Sequence, residues 1–391
     1  MQDTDRIEGR SALVNNTNAA IALAGAVRST LGPRGSDKML VDENGEIVVT
    51  NDGVTVLETA KVEHPTANLL IATSSAQDRI ARDGTTTSVL LTAELLRNAL
   101  ELSRIGVHPT IIMNGYRIAV EESLTQLEEI SRDASDDDLI ATTATTMAGK
   151  IDTVLAKKMT SLALEAAREL ENEEGGDDLE RIRVKRLQMA GGGAAESEII
   201  HGLMLKKQRL DFTTDSHSEG GKIAIIDGGF ENRELELDAQ IEIRNTGVLS
   251  GFQERKRAKL AEQVTCLSSL GIDLLCVRDG IADEAVPLLK AAGITTYRRF
   301  EREDLERLSI LTGAKMVRDA DRMSAGDVGT YTKRAAEKID DAWHVQIDGE
   351  GRAMTALLRG TTSTIREEVS RTFDDALGVA FRLVREPKVL P

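Results

Sequence analysis

Aspartate stands beside glycine in two early stretches that suit phosphate chemistry. In "RDGTTTSVLL", Asp83 and Gly84 are followed by Thr85, Thr86 and Thr87, directly ahead of an apolar helical pattern. Threonine runs are poor helix formers. The first turn of a helix, however, leaves backbone N–H groups unpaired, and its dipole favours an anion. Three hydroxyls and a bare glycine backbone at such a place can wrap a phosphate, and Asp83 can hold the magnesium that accompanies it. Taken alone, plain N-capping by Asp or Thr is the commoner explanation of this stretch. "TNDGVT", residues 50–55, offers Asp52 next to Gly53 and on its own is an ordinary turn.

Three further stretches carry residues of the right kind. "TLGPRG", residues 30–35, is a helix end turning at Gly32-Pro33, where open backbone can meet a nucleotide or simply stop the helix. Gly149-Lys150 puts one cation near a possible γ-phosphate, although a solvated lysine is far commoner. Asp374 and Asp375 lie beside the apolar stripe of the last helix. Adjacent helix positions diverge by ~100°, so one of the two faces a site at most, and both fit a solvated acidic face.

Several familiar chemistries are absent. The sequence holds no Walker A pattern, HExxH, CxxC or GxSxG, and "GGGAAE" does not satisfy GxGxxG. The five histidines are scattered, with no serine or cysteine nucleophile to pair with. Cys266 and Cys276 lack metal-type spacing and cannot make a disulfide framework; Cys276 reads as a small buried hydrophobe.

The elements that must position these residues occupy a chain of 391 residues, long enough for two or three domains. A net charge of -16, from 65 acids and 49 bases, argues against nonspecific binding to nucleic acid or anionic membrane. With arginine well ahead of lysine, the acid-rich composition suggests a halophile. No apolar run approaches bilayer length and no secretory leader is visible, so the chain reads as cytoplasmic.

The first 130 or so residues read as helices. One opens at the Asn/Thr capping residues of "NNTNAAIALAGAV"; others run over 68–80, 88–102 and 109–130, and a hairpin over 38–56 turns at Asn44-Gly45. "SRDASDDDL" is an acidic break that reads as a hinge or a boundary, followed by a helix over 153–170. From Lys222 strands dominate, with "KIAIIDGG" and "ELELDAQIEIR". The stretch from Gly271 to Val317 reads as strand, helix, strand, helix, strand, which implies a parallel sheet. Residues 247–270 form a helical pattern charged on most faces, suited to project from a domain. A last amphipathic helix carries Ile365, Val369, Phe373, Ala376, Leu377, Ala380, Phe381 and Val384 on one side.

"TLGPRGSDKMLVD", "VVTNDGVT", "VEHPTANLLI", "DGTTTSVLLTAELL" and "VHPTIIMNGYRIA", in this order, closely resemble the equatorial domain of group II chaperonins, the archaeal thermosome and eukaryotic cytosolic chaperonin. The likeness continues through "TTMAGK", "LLRG" and "DDAL". It implies a multidomain α+β and α/β fold: a mainly helical, incomplete equatorial domain over 1–138, a small intermediate domain over 139–200 and 356–391, and an α/β apical domain over 201–355. The apical domain would bind unfolded clients, with 247–270 as its lid-forming protrusion. By the resemblance, Thr30, Leu31, Gly32 and Pro33 contact ATP, and Gly53, Gly84, Thr85, Thr86 and Thr87 line its phosphates. Asp83 holds Mg²⁺, Lys150 senses the γ-phosphate, and Asp52 and Asp375 activate the attacking water. Other chaperonin subunits would complete a ring.

Three departures stand against the family pattern. Arg82 occupies a glycine position, where it either crowds the phosphate approach or adds a cation. "KKQRLDFTTDSHSEGGK" lacks the family's His-Pro and Met-Pro elements. The chain stops at "REPKVLP", where the family continues with the rest of the equatorial domain; apolar faces of the N-terminal helices are therefore expected to be open. Three readings are open: an ATP-hydrolysing chaperonin subunit, a truncated chaperonin-like protein that holds clients or modulates rings without hydrolysis, and an unrelated Mg-dependent phosphotransferase, for which no acceptor site is visible.

Overall fold

The computed structural model describes residues 9–32, 34–41, 45, 47–60, 62–149, 151–176, 178–211, 215–231 and 246–390, with backbone alone for 246–253. The fold mixes helix and sheet and divides into two compact units: residues 1–180, 190–196 and 359–391 form one, and 181–189 with 197–358 the other.

The chain enters the first unit through α1 (Gly9–Val27), then the hairpin β1 (Lys38–Val41) and β2 (Ile47–Thr50). Next come α2 (Gly53–Thr59), α3 (Pro65–Ala81), α4 (Thr85–Arg104) and α5 (Pro109–Ile130). Ala20, Leu23, Ala24 and Val27 recur at helical spacing on α1 and pack with Val56 and Leu57 of α2, Leu70 of α3, and Val89 and Ala93 of α4. Both α3 and α5 begin at a His-Pro-Thr: His64 and His108 cap with Nδ1, accepting from the N–H of Thr66 and Thr110, and proline fills the first helical position. On α5 only Ile112 is buried, while Ile111, Met113, Ile118, Val120, Leu124 and Leu127 are exposed. The hairpin pairs antiparallel from Lys38 opposite Thr50 to Val41 opposite Ile47; Asn44, read as its turn, lies outside the described residues.

The acidic break is locally ordered. It carries a short strand, β3 (Arg132–Asp133), and Ser135 makes a capping box with Asp138 at the start of α6 (Asp136–Thr145). α7 (Thr153–Leu170) follows, and α8 (Leu179–Arg183) marks the passage out of the unit.

The second unit is built on sheets. It contains β4 (Val184–Met189), β5 (Glu198–His201), β6 (Leu203–Leu205), β7 (His217–Ser218), β8 (Gly221–Ile226), α9 (Thr246–Ser269), β9 (Leu274–Val277), α10 (Val286–Ala291), β10 (Thr295–Tyr297), α11 (Arg302–Thr312), β11 (Met316–Val317), β12 (Gly329–Tyr331), β13 (Lys333–Ile339), β14 (Ala342–Asp348) and β15 (Met354–Arg359). As the alternation predicts, β10, β9, β8 and β11 lie parallel in that order, and β12 adds antiparallel to β8. All four residues of β9 are buried, the pattern of a strand covered on both faces. One face meets Leu260, Val264 and Leu267 of α9 and Leu289 of α10; the other meets Leu305, Leu308 and Leu311 of α11. The later half of α9 is therefore a core helix, not a projecting one. Burial pushes the Cys276 thiol well above its usual range. "ELELDAQIEIR" lies outside the described residues.

Two sheets complete the unit: the antiparallel β6-β14-β13-β7, and a three-stranded sheet in which β15 lies between β4 and β5 and runs antiparallel to β5. The chain then returns to the first unit as α12 (Ser363–Arg385) and β16 (Lys388–Val389), which pairs with β3. α12 packs along α7 and buries Phe373, Ala376, Leu377, Ala380 and Phe381, as its stripe predicts. Ile365, in the first turn, is exposed, and Leu383 is buried in addition. Among the described residues no helix is long and apolar enough to cross a membrane.

Candidate functional site

Arg82, Asp83 and Gly84 are the whole connection between α3 and α4. Arg82 ends α3 in the left-handed region (φ 59°, ψ 8°) and Gly84 begins α4 in the same region (φ 76°, ψ 12°). The turn is held from several sides. Arg82 N–H donates to Asp78 O at 2.9 Å, Gln77 Nε2 donates to Asp83 O at 3.0 Å, and Gly84 N–H donates to Asp83 Oδ1 at 2.7 Å. Asp83 itself is exposed.

Plain N-capping does not describe this stretch. No side chain caps α4 at Gly84, and α4 starts at Thr85, three residues earlier than its apolar pattern suggests. The hydroxyls of Ser74 and Ser88 donate to Thr85 O, at 3.3 and 2.7 Å, and stiffen the first turn without covering its N–H groups. Thr86 is buried and Thr87 exposed.

The second aspartate-glycine pair meets the first turn of α4. A β-carbon on Gly53 would stand 2.2 Å from Thr86 Oγ1 and 3.3 Å from Thr86 N, so only glycine lets the start of α2 approach the start of α4 this closely. Asp52 is the N-cap of α2, its Oδ2 accepting from Thr55 N–H at 2.9 Å and from Thr55 Oγ1 at 2.7 Å. Thr50 Oγ1 accepts from Asp52 N–H at 3.1 Å.

Thr30 closes a 3-10 turn after α1 that packs on α4, with Arg28 paired to Glu94 at 2.7 Å. The Thr30 hydroxyl donates to Val27 O, Leu31 is exposed, and Gly32 adopts φ 86°. Pro33 and Lys150 lie outside the described residues. Asp374 and Asp375 are both half-buried on α12 and both have partners.

Arg82 neither crowds the turn nor points a cation into it. Its stem lies across Gly378, one turn beyond Asp375, where a β-carbon would stand 2.1 Å from Arg82 Cγ. Its guanidinium, 3% exposed, pairs with Glu180 at 3.1 Å, Asp178 at 2.8 Å and Asp78 at 3.6 Å. Glu180 is shared with Arg382 at 3.5 Å, and Arg382 also donates to Ile80 O and to Arg79 O, carbonyls at the end of α3. Thr55, Gln77, Ser74 and Gly378 were not singled out from sequence. Thr55 alone had a local signal, the third position after an N-capping aspartate.

The donor set fits a magnesium-bound nucleotide better than a metal held by protein alone. Among the described residues no three His, Cys, Asp or Glu gather to hold a metal. One exposed carboxylate beside an uncapped helix start is what Mg²⁺ needs when phosphates and water supply its other ligands.

Residues 23–391 match the TCP-1/cpn60 chaperonin family. The chain belongs to that family. Thermosome subunit alpha of Methanothermobacter thermautotrophicus is 36% identical over 392 residues, and thermosome subunit beta of Archaeoglobus fulgidus 38% over 399; each alignment spans the whole of this chain and 72% of the relative. Thermosome subunit 1 of Haloferax volcanii is 35% identical over 395 residues, covering the whole chain and 70% of that relative. The protein is a group II chaperonin subunit, of the class that assists protein folding, and its kinship with proteins of halophilic archaea agrees with its acid-rich composition.

Proposed function

We propose that this chaperonin subunit binds Mg-ATP at the meeting of α2 and α4 and that hydrolysis there drives lid closure over an unfolded client. The observation that carries the proposal is the approach of Gly53 to Thr86, which brings the starts of α2 and α4 together and supports reading Asp52, Asp83 and the uncapped start of α4 as one site. Thr30, Leu31, Gly32 and Pro33 flank the nucleotide. Gly53, Gly84 and Thr85 to Thr87 receive the phosphates, with Lys150 at the γ-position and Asp83 holding the metal. Bound Mg²⁺ supplies charge neutralisation for phosphoryl transfer, which asks of the protein positioning more than covalent chemistry. Thr55 holds Oδ2 of Asp52 and leaves Oδ1 for the attacking water, which Asp375 helps to orient.

On this reading residues 1–138 are equatorial, 139–200 and 356–391 intermediate, and 201–355 apical, with only the early part of 247–270 contributing to the lid. Unfolded proteins and other subunits in a ring are the partners, and the cytoplasm is the location. The test is Mg-dependent ATP binding and hydrolysis by the purified chain in high and low salt, with Asp375→Ala and Asp83→Asn as controls. Turnover abolished by Asp375→Ala, and magnesium dependence abolished by Asp83→Asn, are expected. Binding without turnover leaves a subunit that holds clients without hydrolysis, and no binding by the folded chain overturns the proposal.

A further inference from the structure

We infer that Arg82 is a positioning residue, fixing the Asp83 turn to the helix that carries Asp375. The inference rests on the nucleotide reading above and adds to it a side chain that touches neither phosphate nor metal.

Three observations carry it. First, Asp83 has no loop of its own: Arg82 caps the helix before it and Gly84 the helix after it, so the backbone angles of these two residues aim its carboxylate. Second, Arg82 holds a left-handed conformation that favours glycine, and its side chain is what secures it there. The stem is pressed on Gly378 and the buried guanidinium is pinned by Glu180, Asp178 and Asp78. Third, the surface that receives the stem lies three residues from Asp375, on the same face of α12. Arg382, a further turn along, grips the last carbonyls of α3 and the same Glu180. On the nucleotide reading, Arg82 therefore ties the turn that carries Asp83 to the helix that carries Asp375.

The experiment measures ATP affinity of the full chain with and without Mg²⁺ in wild type, Arg82→Met and Arg82→Lys. Methionine keeps much of the stem and removes the charge; lysine keeps both and loses the fork. The expected result is a split: Mg-free affinity within about twofold of wild type in both variants, with the tightening produced by Mg²⁺ reduced about tenfold or more in Arg82→Met and largely rescued in Arg82→Lys. Equal Mg²⁺ tightening in Arg82→Met and wild type overturns the inference, as does equal weakening with and without Mg²⁺, which marks a purely structural role. Wild-type chain that binds ATP in neither condition overturns the nucleotide reading first, and the inference with it.

Discussion

Arg82 lies across Gly378 so closely that a β-carbon on the glycine would stand 2.5 Å from Cβ and 3.0 Å from Cδ of the arginine as well as 2.1 Å from its Cγ. Glycine inside a helix normally costs about 0.5–1 kcal/mol relative to alanine. Here the exchange reverses sign: Gly378→Ala is expected to destabilise by about 1–3 kcal/mol, the usual cost of overpacking. In an Arg82→Gly background the same exchange becomes neutral or stabilising. Thermal unfolding of the four proteins of the cycle measures the coupling, and a Gly378→Ala effect independent of residue 82 refutes the contact.

Glu180 is 1% exposed and stands between two arginines, with Oε2 left without a hydrogen bond. Removing its charge leaves Arg82 buried with only Asp178 and Asp78 opposite. Glu180→Gln should lower stability by about 3 kcal/mol, the lower end for a broken buried pair. Added salt should restore little of it, since burial limits screening. Chemical denaturation at two salt concentrations checks both parts.

Gly53→Ala places a methyl group where Thr86 Oγ1 stands. The start of α2 must then back away from α4, and ATP affinity is expected to fall tenfold or more while most of the fold persists. Thr86→Ser keeps the clashing oxygen and should not rescue; Thr86→Ala in the Gly53→Ala background should recover part of the loss. Calorimetric titration of the single and double variants distinguishes the outcomes.

Asp138 receives both forks of Arg132 at 2.6 and 2.7 Å, and the hydroxyl and backbone N–H of Ser135 at 2.7 and 2.9 Å. Arg132 first, then Ser135, hold its carboxyl far below the ordinary aspartate range. As pH falls the unfolded chain therefore takes up this proton before the native one. The contribution is complete above about pH 4, the unfolded value, and is lost progressively below it. Asp138→Asn should be less stable than wild type at pH 7, with the gap narrowing from pH 4 toward pH 2. Denaturation midpoints across that range check it; a constant gap argues against the pairing.

Where the chain's signals are local, sequence and structure agree closely. α5 runs from Pro109 to Ile130 as read, because His108-Pro109 fixes its start and its apolar period its body. The parallel alternation from Gly271 to Val317 is equally plain. α1 begins at Gly9 rather than at the Asn/Thr cluster, and Thr17 is buried within it: capping residues are also tolerated inside a helix when packing holds them. α4 takes in all three threonines because Gly84 supplies the turn and Gly53 a surface for Thr86, overriding propensity. The target of Arg82 is 296 residues away, from 378 minus 82, and no local pattern announces it. The same holds for β15, which pairs Met354 with His201.

The three-residue connection between α3 and α4, a cap at either end of Asp83, has little slack. Each residue added within an α-helix turns the rest of that helix by ~100° and advances it by ~1.5 Å. A single insertion or deletion beside Asp83 would therefore swing Thr86 away from Gly53 and rotate α4 against α1, even with every side chain of the site retained. Spacing is a component of this site in its own right, and the segment from Ala81 to Thr85 should tolerate substitution more readily than any change in its length.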